Sequence, residues 1–189
     1  MASLSDLEPH RITVDEYHRM VEAAVFDEDD RLELLDGLIV EMSPQSPEHA
    51  RVIAWLNNHI VRMLPPRLWI NPQLPFTIRP ASEPEPDLAV VDADTPRGEH
   101  PQTAHLVIEV ANESLRRDRM IKGALYAAAG IPEYWIVNLA DRCVEVYRDP
   151  VPTATSSRYA TSLTFRSEQE LACAAVPEIQ IDLKRLLGA

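Results

Sequence analysis

Ala104-His105-Leu106-Val107-Ile108-Glu109-Val110 is a nearly continuous apolar run, interrupted by one histidine and one glutamate. Such a run reads as a strand covered on both faces, the pattern of an interior strand in a sheet flanked by helices. Upstream, Asp87 to Val91 is a second short apolar run, set off by Glu83-Pro84-Glu85-Pro86. Downstream, Leu115 to Ala129 reads as helical and stops at Gly130, a residue suited to the left-handed position past a helix end. Tyr134 to Leu139 and Cys143 to Tyr147 then read as two strands joined by a turn.

The N-terminal third predicts helices around a hairpin. Thr13 to Ala24 is a short amphipathic helix, with Thr13 as N-cap and Glu16 as its capping-box partner. Phe26 to Arg31 is an acidic turn. Asp36-Gly37 sits between two apolar runs in Leu32 to Val40, a strong hairpin signal. After a Ser- and Pro-containing loop, Ser43 to Pro47, a helix is expected from about Pro47 to Leu64. Val52, Ile53, Leu56 and Ile60 form its apolar stripe, and Pro65-Pro66 stops it. Leu68 to Ile70 and Leu74 to Ile78 look like strands. Val151 to Arg158 is loop-like, Tyr159 to Phe165 reads as a strand, and Ile181 to Leu187 as a short helix. This order predicts an α/β (mixed α+β) fold, with a central mixed sheet flanked by helices and an N-terminal helix and hairpin. Residues 1–189 form one domain, with a core over 10–150 and a C-terminal extension over 151–189.

The chain has 189 residues, 46% of them hydrophobic and 25% charged, which is enough for one real core. Its apolar runs are too short to cross a bilayer, so no membrane partner is expected. Met1 to Glu16 lack a basic and an apolar signal region, and two cysteines make no disulfide scaffold, so a cytoplasmic protein is expected. The net charge is −12, and residues 1–50 hold 13 of the 30 acidic residues against three of the 18 basic ones. That acidity weighs against a broad basic nucleic-acid footprint. Gly-rich phosphate loops, a nucleophile elbow and a zinc-type His/Cys cluster are all missing from the sequence.

Two carboxylates sit where carboxylates are costly. Glu109 lies inside the interior strand, and Asp87 opens its neighbour. If the two strands are adjacent, their backbones lie about 4.8 Å apart and the pair can share one hard divalent cation, Mg²⁺ or Mn²⁺. The plainer alternatives are a strand-start aspartate bonding to local backbone, and a glutamate that is the last exposed residue of its strand or half of a structural ion pair. Lys122 is one of only two lysines in the chain, and helical spacing puts Asp118, Lys122 and Tyr126 on one face. Its alternative is an ordinary solvated pair with Asp118. His49 lies on the apolar side of its helix, as a ligand or as a hydrogen-bonded helix-end histidine. Glu33 lies between leucines on the hairpin, as a site residue or on a half-exposed face. Glu41 and Glu48 read as solvated charges. Arg116, Arg117 and Arg119 form the only basic cluster, there to meet phosphates or to solvate the helix start.

The ordered set Glu33-Leu34-Leu35-Asp36-Gly37, Ser46-Pro47-Glu48-His49, Glu85-Pro86-Asp87, Ile108-Glu109-Val110, Lys122 and Gly130-Ile131-Pro132-Glu133-Tyr134-Trp135 resembles the Uma2 family (DUF820) of restriction-endonuclease-like proteins. The resemblance covers roughly residues 10–150. It implies the PD-(D/E)XK nuclease fold, DNA as substrate, and Mg²⁺ or Mn²⁺ held by Asp87 and Glu109. The superfamily pattern places its lysine two residues after the glutamate, where this chain has Ala111; the resemblance implies that Lys122, on the following helix, takes that place. Glu33 and His49 match further family positions around the site.

Three functions follow as expectations. The first is a metal-dependent DNA endonuclease, with a homodimer exposing its neutral C-terminal half to DNA. The second is a non-catalytic interaction protein that keeps the fold and binds a basic protein partner through its acidic N-terminal region. The third is binding or hydrolysis of a small phosphorylated ligand at the same metal site.

Overall fold

The computed structural model describes residues 9–27, 29–96, 98–153 and 157–188. Residues 1–8 and 28 of the acidic N-terminal region, and 154–156 of the expected loop, lie outside the described residues. Helix α1 (Val14–Glu22) starts at Thr13, whose hydroxyl accepts from the Glu16 amide while the Glu16 carboxylate accepts from the Thr13 amide. The expected capping box is present. Strands β1 (Leu32–Leu35) and β2 (Leu38–Glu41) pair antiparallel around a two-residue turn. Asp36 and Gly37 both have positive φ there, 48° and 74°, as a turn matched to strand twist requires.

Helix α2 (Pro47–Ile60) buries Val52, Ile53, Leu56 and Ile60, the expected stripe. It ends four residues earlier than its periodicity suggests, because the chain turns over 61–63 and leaves Val61 exposed ahead of Pro65-Pro66. Strands β3 (Leu68–Pro72), β4 (Leu88–Asp92) and β5 (Leu106–Ala111) follow. The expected strand over Leu74 to Ile78 is absent: the segment is irregular and makes one isolated bridge, Ile78 to Ser82. Pro75, second in the segment, removes a ladder donor, which explains why apolar content did not produce pairing.

The helical stretch after β5 has three parts. They are α3 (Leu115–Arg117), a π-helical turn over Asp118–Lys122, and α4 (Gly123–Ala128). Strands β6 (Glu133–Asn138), β7 (Cys143–Val151) and β8 (Arg158–Phe165) come next, then β9 (Glu170–Ala172), β10 (Gln180–Asp182) and α5 (Leu183–Leu187). The tail therefore begins as a strand before it becomes a helix. The pair β9–β10 is three residues per strand, too short for periodicity to reveal.

The six-stranded sheet has the order β3-β4-β5-β6-β7-β8. Only β5 and β6 are parallel. The helical stretch is their crossover, since parallel neighbours need a long connection. Leu88, Val90, Leu106, Ile108 and Val110 pack with α2 and the C-terminal segment on one face. Ala89, Val91, Val107 and Ala111 pack with Tyr126 and Tyr134 on the other. Strand β5 is thus covered on both sides, as its apolar run demands, and each fully buried large side chain contributes about 1.5–3 kcal/mol.

Residues beyond 151 complete this core. Leu171, Ile179, Ile181, Leu183 and Leu186 join the α2 face. Glu133 fastens them. Its Oε2 accepts from the amides of Ala174 (2.6 Å) and Ala175 (3.2 Å), and its Oε1 from Trp135 Nε1 (2.7 Å) and Arg148 (2.8 Å). No helix among the described residues is long and apolar enough to cross a membrane.

Gly37 gives one stability test. A Cβ there would lie 2.7 Å from Arg11 Cβ, at a φ that side chains resist. Gly130 has a similar φ of 72° but open space around it. We expect Gly37→Ala to lower the melting temperature more than Gly130→Ala. The shared φ penalty is about 1–2 kcal/mol, and each kcal/mol corresponds to about 2–4 °C for a chain of this size. Equal losses would show that the Arg11 contact relaxes at no cost.

Candidate active site

The register of β4 on β5 pairs Leu88 with Ile108. One step beyond that ladder, Asp87 stands opposite Glu109, so both carboxylates leave the sheet on the same face. Asp87 ends the ladder with its side chain: Oδ2 accepts from the Val110 amide at 2.8 Å. The same oxygen lies 3.1 Å from His49 Nε2, delivered by the first turn of α2. With the carboxylate accepting, the ring proton belongs on Nε2. His49 Nδ1 is then an acceptor, buried and without a partner among the described residues. Ser46, the N-cap of α2, holds this turn through the His49 amide at 3.2 Å.

Glu109 meets the crossover helix. Its Oε1 accepts from Lys122 Nζ at 3.0 Å and from Tyr126 Oη at 2.8 Å. Lys122 Nζ also lies 3.0 Å from Glu33 Oε2, carried by β1. The ammonium therefore bridges the hairpin and the central strand. Lys122 is 3% exposed, Glu33 1%, Glu109 5% and Asp87 8%. Asp118, one turn before Lys122, is also buried and accepts from Ser114 Oγ at 2.6 Å. Both ends of the π-helical turn thus face inward, and such turns concentrate at functional positions.

The five residues singled out from sequence meet in one cleft of about 310 Å³. The solvated Asp118–Lys122 pair is not what forms: both are buried, and Lys122 pairs with Glu33 and Glu109. Glu33 is not on a half-exposed face. His49 is hydrogen-bonded at its helix end, and its partner is Asp87 itself. Sequence reading named Glu85 only within a family motif and missed Arg31 and the inward role of Asp118; for Asp118 the signal was its shared helix face with Lys122 and Tyr126.

The electrostatics are lopsided. Six carboxylates line the cleft (Glu33, Glu85, Asp87, Glu109, Glu113 and Asp118) against Lys122, Arg31 and Arg117. Burial pushes Glu109 up to about 8, with Lys122 pulling it back. Burial also raises Asp118, against the pull of Lys122, and raises Glu85, with the Glu33 charge adding to it. Burial alone would lower Lys122, but Glu109 and Glu33 override it and hold the ammonium above its ordinary value. Tyr126 is raised well above the usual phenol by burial and by Glu109.

This donor set fits a hard cation. Glu33 Oε1 is buried with no hydrogen-bond partner among the described residues. Asp87 Oδ1 and Glu109 Oε2 have no hydrogen bond to the described residues, so each carboxylate keeps an oxygen free. Oxygen donors in acidic excess suit Mg²⁺ or Mn²⁺. The arrangement is a two-carboxylate one: no group of three or more His, Cys, Asp or Glu is gathered around one point among the described residues.

A mixed sheet with helices on its faces, and an acidic cleft where β4 begins and β5 ends, fits the restriction-endonuclease-like class. A family model, Uma2, described as "Putative restriction endonuclease", matches residues 14–184, and the chain belongs to that family. Among solved structures it is similar to a putative nuclease of DUF820 from Anabaena variabilis, with a TM-score of 0.70 and 16% identity over 94% of this chain and 98% of that one. At that identity the likeness is one of fold. No curated protein matches the chain.

Proposed function

We propose that the protein is a metal-dependent nuclease that hydrolyses DNA phosphodiester bonds in this cleft. The observation that supports it most is the pairing of Asp87 with Glu109 on adjacent strands, beside a buried lysine. Asp87 and Glu109 would hold Mg²⁺ or Mn²⁺, which polarises a phosphodiester and lowers the pKa of bound water. The remaining work falls to the chain. Val110 and His49 fix one oxygen of Asp87, and Tyr126 and Lys122 fix one oxygen of Glu109, so each carboxylate presents its other oxygen to the cleft. An ammonium has three donors, and Glu33 and Glu109 occupy two of those on Lys122. The third is free to orient the attacking water or to stabilise charge developing on the phosphate. Glu33 keeps Lys122 protonated and in place.

The test is cleavage of plasmid and single-stranded DNA with Mg²⁺ and Mn²⁺, comparing wild type with Asp87→Ala. Cleavage by the wild type alone supports the reading. The acidity of residues 1–50 favours a second reading, a non-catalytic protein that binds a basic partner. No cleavage by either protein, with both folded, would turn the assignment to it.

A further inference from the structure

The cleft poses a problem for a polyanionic substrate. Its carboxylates outnumber its cations, and the charge of Lys122 is already balanced by Glu33 and Glu109 at 3.0 Å each. Two cations remain, both beside the Glu41–Ser43 segment: the Met42 amide donates to the Arg31 carbonyl at 2.9 Å, and Arg117 donates to Glu41 and Ser43. Arg31 is exposed, directly before β1, and its guanidinium makes no hydrogen bond or ion pair to the described residues; its field lowers Glu85. Arg117 stands on α3. Its Nη1 donates to the Glu41 carbonyl (3.1 Å) and its Nη2 to Ser43 Oγ (3.2 Å), while its Nε is buried without a partner among the described residues. Both line the cleft that holds Asp87 and Glu109. The direct contacts of Arg117 to Glu41 and Ser43 are with neutral atoms, and its field lowers the buried Asp118.

We propose that Arg31 and Arg117, side by side along the Glu41–Ser43 segment of the cleft wall, form a paired clamp for nucleic-acid phosphate next to the one to be cleaved; this rests on the nuclease reading above. The clamp overcomes the repulsion between backbone and acidic centre over the few ångströms where it is strongest. Arginine suits the task because its planar fork matches phosphate oxygens and stays charged. Arg31 is free to turn toward the substrate. Arg117 is preset, because the same guanidinium braces the loop between β2 and α2 that walls the cleft. The contacts reach backbone only, so the clamp adds affinity without sequence preference.

The experiment is fluorescence anisotropy of fluorescein-labelled DNA oligonucleotides, duplex and single-stranded, in EDTA across about 50–200 mM NaCl. Arg31→Ala should weaken binding roughly fivefold for every sequence alike, and make the slope of log K against log[salt] shallower by about one. Arg117→Ala should do the same. Ser43→Ala separates charge from bracing: it removes a brace of the loop and should leave the salt slope unchanged. Arg62, just past the far end of the 14-residue α2 and so about 20 Å from the cleft, is the control. Arg62→Ala should bind as the wild type does. In the cleavage assay Arg31→Ala should raise KM and leave kcat nearly unchanged. Wild-type binding with an unaltered slope in Arg31→Ala and Arg117→Ala would overturn the clamp and leave the nuclease reading standing. No wild-type binding at any salt would overturn the clamp, and the nuclease reading is decided separately by the cleavage assay with Mg²⁺ and Mn²⁺.

Discussion

Lys122→Met should destabilise the protein by about 3–5 kcal/mol at pH 8, because it leaves two buried carboxylates without their cation. At about 2–4 °C per kcal/mol for a chain of this size, the melting temperature should drop by roughly 10 °C. The loss should depend on pH. Glu109 already has a folded-state value raised to about 8 by burial, and removing Lys122 raises it further. An acid whose folded pKa lies above its unfolded one is most favourable below the unfolded value, near 4.5. That contribution fades as pH rises toward the folded value. Lys122→Met should therefore melt close to the wild type at pH 5 and far below it at pH 8. Calorimetry in EDTA at the two pH values checks this. A variant within two or so degrees of wild type at pH 8 would mean that Lys122 sits in water and not between Glu33 and Glu109. The pair Lys122→Met with Glu109→Gln should recover part of the loss, since only Glu33 then lacks a cation.

Glu109→Gln should abolish cleavage while leaving the fold intact. Glutamine keeps an oxygen to accept from Tyr126 Oη, the 2.8 Å contact, so packing around β5 is preserved. Lys122 keeps Glu33, and one member of an overcrowded set of buried acids becomes neutral. The melting temperature at pH 8 should hold or rise. Activity should fall on the order of a thousandfold, because a carboxylate lost from the centre removes several kcal/mol of transition-state charge stabilisation. Isothermal titration with Mn²⁺ supplies a second readout: affinity should fall in Glu109→Gln and in Asp87→Ala alike. Full cleavage by a folded Glu109→Gln would remove Glu109 from the chemistry and leave it a structural partner of Lys122.

Much of the local structure was legible in residue patterns. Asp36-Gly37 specified its turn because few residues tolerate two successive positive φ angles. Thr13 and Glu16 specified a helix start because their side chains reach each other's amides. The run ending at Glu109 and Val110 specified an interior strand because only a doubly covered strand buries every position. Pro75 shows the limit on the same scale: apolar content suggested a strand, and one missing donor removed it. Glu133 was read as part of a family motif. Its work as the fastener of residues 174 and 175 depends on a segment some forty positions away.

A carboxylate inside an apolar run and a lysine in an arginine-rich chain announce unusual surroundings by themselves, because burying a charge is costly wherever the chain goes. Residue order alone therefore determined the mixed fold and the identity of the five candidate residues. Who satisfies those charges was decided only by the tertiary structure. The β4–β5 register sets Asp87 against Glu109, the hairpin brings Glu33 to Lys122, and the Glu41–Ser43 segment brings Arg31 and Arg117 to one wall of the cleft. Periodicity tells which way a side chain points from its own element. Which elements then face one another is settled by the joint packing of two core faces and by sheet pairing, which are properties of the whole chain at once.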